Sequence, residues 1–146
     1  MDCQVREVSG TEHAQTLHRL NALSPNVFPP LRARHLAEGF WWLIIHRGEP
    51  KAFAGMVPMP PFHTPTNGVG YLKRCWVDPK YRGRGWQKIL LEQRERKAKS
   101  LGWTMLVSDV SADNEYSNMN FLKSGYTETV PEQIWASNSR FWVKVL

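Results

Sequence analysis

Apolar positions along the chain follow two different periods. From Cys3 to Val8 they alternate weakly with polar residues, which predicts a first strand. Between Thr11 and Ala22 the residues Ala14, Leu17 and Leu20 to Leu23 recur at helical spacing, with Ser9 or Thr11 as a start signal. The turn-rich "SPNVFPP" follows, and a short helix is expected from about Leu31 to Ala37. In "FWWLIIHRGEPKAFAGMVPM" two aromatic and aliphatic runs surround Gly48-Glu49-Pro50, the pattern of a hairpin. The next stretch, "PPFHTPTNG", is a loop by its proline and glycine content. Val69 to Asp78 reads as a strand, Gly85 to Leu101 as a helix closed by Gly102, and Thr104 to Ser111 as a strand. Glu115 to Ser124 is a short helix with Gly125 at its C-terminal cap, and Tyr126–Thr129 and Arg140–Leu146 are the last two strands. The order β-α-α-β-β-β-α-β-α-β-β predicts an α+β fold around one mixed, mostly antiparallel sheet.

The chain has 146 residues, enough for one domain over 1–146 with a core of its own. Apolar residues make up 42% and charged residues 22%, which argues against disorder. The longest apolar run, Gly39–Ile45, is too short for a membrane-spanning helix. "MDCQVREV" carries an acid and a base and has no apolar core, so it does not resemble a signal peptide. Without such a signal, Cys3 and Cys75 are expected to be reduced thiols in a cytoplasmic protein.

Charge changes the picture more than composition does. The net charge is +6, yet residues 71–100 hold ten Lys or Arg against three acids. The excess therefore sits in that one segment. Glu92–Arg96 and Glu95–Lys99 are ordinary i,i+4 helix pairs. Lys80, Arg82, Arg84 and Lys88 outnumber the acids that flank them, Asp78 and Glu92, and they crowd around Gly83 and Gly85 where a strand turns into a helix. A helix N-terminus offers unpaired N–H groups and the positive end of its dipole, and glycines let a ligand approach the backbone. Such a corner suits an anion. A dinucleotide fingerprint would need a glycine where Lys88 stands, and a P-loop would need Gly-Lys-Ser/Thr; neither is present.

The stretch "VDPKYRGRGWQ" resembles the acyl-CoA-binding motif of the GCN5-related N-acetyltransferases, the GNAT superfamily. That motif is Gln/Arg-x-x-Gly-x-Gly/Ala, entered from a strand ending in Val-x-Pro; here Val77 and Pro79 lead into Arg82, Gly83, Arg84, Gly85, Trp86 and Gln87. Gln87 departs from the pattern. A second match lies downstream, where "VSADNEYSNMNFLKSGY" places Val110, Asn114, Ser117, Phe121, Gly125 and Tyr126 at the family's spacing. Ser, Phe and Tyr replace the family's Ala, Tyr and Phe. Two motifs in register are specific where one glycine loop would be weak. The motif match covers residues 69–126, and the N-terminal half agrees in element order.

The resemblance implies a mixed sheet with splayed central strands and an acetyl-CoA-dependent N-acetyltransferase. Backbone N–H groups from Arg82 to Lys88 (Arg82, Gly83, Arg84, Gly85, Trp86, Gln87 and Lys88) would hold the CoA pyrophosphate. The end of the Cys75–Val77 strand, with Trp76 and Val77, would pair with the pantetheine arm, and an N–H near Val77 would polarise the thioester carbonyl. Asn114 is a helix N-cap by residue type and lies near the cofactor in the family. Asp109, twelve residues before Phe121, stands where the branch that acetylates protein N-termini carries a glutamate base; a solvated strand aspartate is the competing reading. A carboxylate of ordinary acidity is a weak base for an ammonium, so the role needs burial or a water relay. Phe121 occupies the cofactor-side position of a tyrosine acid that many members carry.

The five histidines lack metal-ligand spacing, so no metal is expected. His63 could border an acceptor pocket or simply lie at the surface. Cys75 reads as core, and Trp41, Trp42 and Trp142 as core or pocket wall. The acceptor would be an amine, either a small molecule or a protein amine, with no membrane partner and a homodimer left open. The competing reading is a CoA-binding or nucleic-acid-binding module of the same fold without turnover; the basic cluster gives it some support.

Overall fold

Strand β1 (Cys3–Val8) pairs antiparallel with β2 (Phe40–His46), and β2 turns back into β3 (Glu49–Val57). The computed structural model describes residues 3–24, 29–58 and 67–146. The hairpin turn is Arg47-Gly48, with φ of 52° and 78°, the left-handed pair whose twist matches that of the strands it joins. It lies one residue earlier than the Gly48-Glu49-Pro50 turn expected from the sequence. Pro50 enters β3 beside a register shift between Ile44 and Ile45, where a missing N–H is tolerated.

Helix α1 (Ala14–Ala22) starts later than its apolar pattern suggests. Ser9 forms a preceding turn instead: its carbonyl accepts from His13 N at 3.0 Å and its hydroxyl from Glu12 N at 3.3 Å. Helix α2 spans Ala33–Glu38. Leu17 and Leu20 of α1 and Leu36 of α2 pack with Leu31, Trp41, Leu43, Phe53 and Trp76 in one apolar cluster. Each such side chain contributes about 1.5–3 kcal/mol when fully buried.

The remaining elements are β4 (Val69–Val77), α3 (Trp86–Ser100), β5 (Met105–Ser111), α4 (Glu115–Lys123), β6 (Thr127–Thr129) and β7 (Ser139–Val145). A single 3-10 turn, Pro79–Tyr81, lies between β4 and α3. Among the described residues the hydrogen-bonded strand order is β1-β2-β3-β4-β5-β7-β6. The β4–β5 pair is parallel; β1–β2, β2–β3, β5–β7 and β6–β7 are antiparallel. The expected α+β architecture with a mixed, mostly antiparallel sheet is therefore present. The chain forms two compact units, Met1–Val57 with Lys73–Arg94, and Pro58–Leu72 with Glu95–Leu146. Both β4 and α3 begin in one unit and end in the other.

In the second unit the β4–β5 ladder consists of three pairs, from Val69–Met105 to Tyr71–Val107. A ladder this short is what strands that part from one another require. Phe121 of α4 stacks on Trp142 at 6.2 Å and meets Tyr126 edge-on at 4.9 Å. Asn118, 1% exposed, ties α4 down. Its amide donates to the carbonyls of Ser111 and Asn114 at 3.0 Å, and its oxygen accepts from the Trp142 indole at 2.8 Å. All its buried polar atoms are thus satisfied.

In the first unit β4 is irregular. Arg74 has φ of 58°, a conformation costly for a residue with a side chain. Arg94 of α3, 3% exposed, supports it: Nη1 donates to the carbonyls of Arg74 (3.4 Å) and Gly55 (3.3 Å), and Nε to that of Leu90 (3.2 Å). No carboxylate pairs with this guanidinium among the described residues. Three backbone carbonyls and the Cys75 thiol surround the buried charge. Arg94→Leu should therefore cost about 2–4 kcal/mol in urea denaturation, because two strand carbonyls lose their donor. A loss below about 1 kcal/mol would mean that water or a local shift replaces the guanidinium.

Candidate active site

The chain turns from β4 into α3 through a corner whose geometry is local. Asp78 N donates to the Lys51 carbonyl at 2.8 Å, which fixes where β4 ends. Its carboxylate accepts from Lys80 N at 2.9 Å and caps the 3-10 turn that Pro79 opens. Arg82 then folds back, donating from Nε to the Val77 carbonyl at 3.0 Å.

Gly83 and Gly85 both have φ of 81°, and a Cβ built on either would meet nothing within 4 Å. The left-handed backbone, rather than crowding, is what calls for glycine here. The space in front of the corner is open. The carbonyl of Gly85 accepts the first helical hydrogen bond of α3 from Ile89 N at 3.0 Å. The N–H groups of Trp86, Gln87 and Lys88 precede it and have no earlier helical turn to bond to. Among the described residues, Lys80, Arg82, Arg84 and Lys88 form no ion pair. The corner thus combines backbone donors, a helix dipole and unneutralised cations, all suited to a phosphate group.

An aromatic stack carries this corner. The Tyr81 ring lies parallel to that of Trp86 at 5.0 Å, with the Arg84 guanidinium 4.8 Å from the Tyr81 ring centre. His46 meets Tyr81 edge-on at 5.1 Å. His46 is buried, and neither ring nitrogen has a hydrogen-bond partner among the described residues. Stacking of this kind is worth about 0.5–1.5 kcal/mol per pair beyond area burial. It also makes the loop rigid without filling its outer face. Tyr81 was passed over in the sequence, although Tyr81 and Trp86 bracket the Arg-Gly-Arg-Gly stretch. The Trp76 side chain is directed into the apolar cluster, so only its backbone is available to a ligand.

Asp109 lies in the second unit, on β5, and is half-buried. Its Oδ1 accepts two hydrogen bonds, from the Tyr71 hydroxyl at 2.5 Å and from the Trp135 indole N–H at 2.8 Å. Trp135 meets Phe141 edge-on at 4.6 Å, and Phe141 is the cross-strand partner of Asp109. Asp109 is thus held through one oxygen while part of the residue stays exposed. Neither Tyr71 nor Trp135 stood out in the sequence, being 38 and 26 residues from Asp109 along the chain.

Asn114 caps α4 as its residue type suggests, its Oδ1 accepting from Ser117 N at 3.2 Å. Phe121 is 8% exposed and belongs to the aromatic core of its unit. Burial pushes the Cys75 thiol up, with the nearby Arg94 guanidinium opposing the shift; a protonated thiol is no nucleophile. Both cysteines are free. Burial, with Lys73, Arg32, Arg34 and Arg74 adding repulsion, lowers His35 to about 4 and keeps its imidazole neutral. No group of three or more potential metal ligands gathers among the described residues, and none of their helices is long and apolar enough to cross a membrane. His63 and most of its loop lie outside the described residues.

Comparison with known proteins agrees with this geometry. No curated protein matches the sequence closely enough to align. Solved structures are similar in fold at low identity. The GNAT domain of S. lividans PAT superposes with a TM-score of 0.79 at 18% identity, covering 99% of this chain and 90% of that one. The PaiA N-acetyltransferase of Thermoplasma acidophilum, solved with coenzyme A, gives 0.75 at 13%, covering both chains fully (100%). The ribosomal-protein-S18-alanine N-acetyltransferase of Escherichia coli gives 0.73 at 15%, covering 99% and 92%. The acetyltransferase (GNAT) family pattern runs through residues 11–126, which takes in both motifs and most of the described elements, and the chain belongs to that family.

Proposed function

We propose that residues 1–146 act as one N-acetyltransferase domain, moving an acetyl group from acetyl-CoA directly to an amine. The observation that carries this reading is the open glycine corner at a helix N-terminus, with its unneutralised cations. A CoA pyrophosphate is an anion of the right kind for it. In this reading Arg82, Gly83, Arg84, Gly85, Trp86, Gln87 and Lys88 receive the pyrophosphate. The backbone of Trp76 and Val77 pairs with pantetheine, and an N–H near Val77 polarises the thioester carbonyl.

Asp109 removes a proton from the acceptor ammonium. The freed lone pair forms the N–C bond, the C–S bond breaks, and the thiolate leaves with its electron pair. Phe121 has no proton to give, so the second proton of the nitrogen, lost as the amide forms, reaches the thiolate through water. A thiol of pKa about 8.5 is already a tolerable leaving group near neutral pH. Asn114 and Phe121 keep their place beside the cofactor through the family pattern, while their side chains serve a helix cap and an aromatic core.

The test has two parts. Acetyl-CoA should raise the melting temperature, since a ligand at a hundred times its Kd adds about 2.7 kcal/mol to the native state. Butylamine, a peptide with a free α-amine and a peptide whose one amine is a lysine should then be screened for CoA release. A protein that binds acetyl-CoA and releases CoA with none of them would favour the binding module. Salt-sensitive binding of nucleic acid that CoA fails to displace would favour it more strongly.

A further inference from the structure

Both hydrogen bonds to Asp109 end on the same atom. The Tyr71 hydroxyl and the Trp135 indole N–H both reach Oδ1. Among the described residues Oδ2 accepts no hydrogen bond and meets no cation. A carboxylate has two oxygens and about four lone-pair sites, so this asymmetry leaves one whole oxygen uncommitted. The terminal torsion of an aspartate is broad, and a free side chain would present either oxygen. Two donors from different elements remove that freedom.

Those donors are themselves held. Tyr71 is the last residue of the β4–β5 ladder, paired with Val107 two positions before Asp109. Trp135 leans on Phe141, which faces Asp109 across β7. The charged pair Arg140 with Glu128 lies one register position away, on the opposite face of the sheet, and closes on itself at 2.7 Å. Both donors to Asp109 are neutral. A lysine or arginine in either place would hold the carboxylate as firmly but would cancel its charge and repel an ammonium. A phenol and an indole hold it and leave the charge in place.

We propose that Tyr71 and Trp135 are positioning residues: they fasten Oδ1 of Asp109 and thereby commit Oδ2 to receive the acceptor's proton directly. This rests on the base role given to Asp109 above. The acceptor therefore arrives as a cationic ammonium against an anionic oxygen, with no relay water between them.

The test needs no acceptor, so its failure is separable from failure of the acetyltransferase reading. The full chain is labelled with 15N-tryptophan and with 13C at aspartate carboxyl carbons, and followed by NMR against pH. Trp135→Phe assigns the indole resonance and Asp109→Asn the carboxyl one. The Trp135 indole proton should move as Asp109 titrates and stay still in Asp109→Asn. In Tyr71→Phe, and separately in Trp135→Phe, the Asp109 carboxyl carbon resonance at neutral pH should move, because Oδ1 loses a donor. Two variants on different elements guard against one that folds poorly. An indole proton indifferent to Asp109, or a carboxyl resonance unmoved in both variants, would overturn the proposal even if the enzyme turns over.

Discussion

Gly85→Asp abolishes the thermal shift produced by acetyl-CoA while the protein still folds. Folding should survive because a Cβ at position 85 meets nothing within 4 Å. The φ of 81° costs a side chain roughly 1–2 kcal/mol, and aspartate tolerates this conformation better than most residues. A negative charge at the start of α3 even favours the helix dipole. Binding should not survive, because the new carboxylate stands on the side from which a pyrophosphate would approach and repels it. An affinity loss of at least about a hundredfold, about 2.7 kcal/mol, is expected from isothermal titration. Gly85→Asn carries the same backbone strain without the charge and should fall between the two. If Gly85→Asp melts and shifts like the parent protein, the cofactor lies elsewhere.

Asp109→Asn should reduce kcat/KM by about a hundredfold or more with any amine that serves as acceptor, and leave the acetyl-CoA thermal shift intact. Asparagine keeps an oxygen for Tyr71 and Trp135 to donate to, so the local packing is preserved. What it lacks is a lone pair able to accept a proton at neutral pH. The two readouts separate the two proposed roles, binding at the corner and proton transfer at the carboxylate. A loss smaller than about threefold, with an unchanged pH profile, would leave Asp109 a packing residue for two aromatic side chains.

The corner was legible because its information is local. Val-x-Pro ends a strand, the two glycines allow left-handed backbone, and the next residues begin a helix; each step is decided by neighbours in sequence. The aromatic stack beneath it was half legible, since Tyr81 and Trp86 lie close but nothing in their spacing says that their rings are parallel. The surroundings of Asp109 were not legible at all. Tyr71 and Trp135 reach it through the β4–β5 register and the path from β6 to β7, which no local pattern encodes. The left-handed backbone at Arg74 was hidden for the same reason. Its support, Arg94, sits on a helix face where the surrounding Arg, Lys and Glu residues suggest solvent rather than burial. The α1 boundary failed differently: Ser9 and Thr11 signal a cap, and Ser9 used its groups to build a turn before the helix.

The way the chain is threaded has a consequence for its synthesis. The first compact unit needs residues Lys73–Arg94, and the second begins at Pro58, so no contiguous stretch of the message encodes either one alone. As the chain leaves the ribosome, the hairpin and the first two helices emerge early but cannot close their layer until the first half of α3 has followed. The nascent β2, rich in tryptophan and isoleucine, and β3 must wait unsealed for roughly 2–8 seconds at ordinary elongation rates. A stop codon before residue 69 would release an apolar sheet edge with no β4 to cover it, a fragment fit for chaperones and proteases rather than for any partial activity.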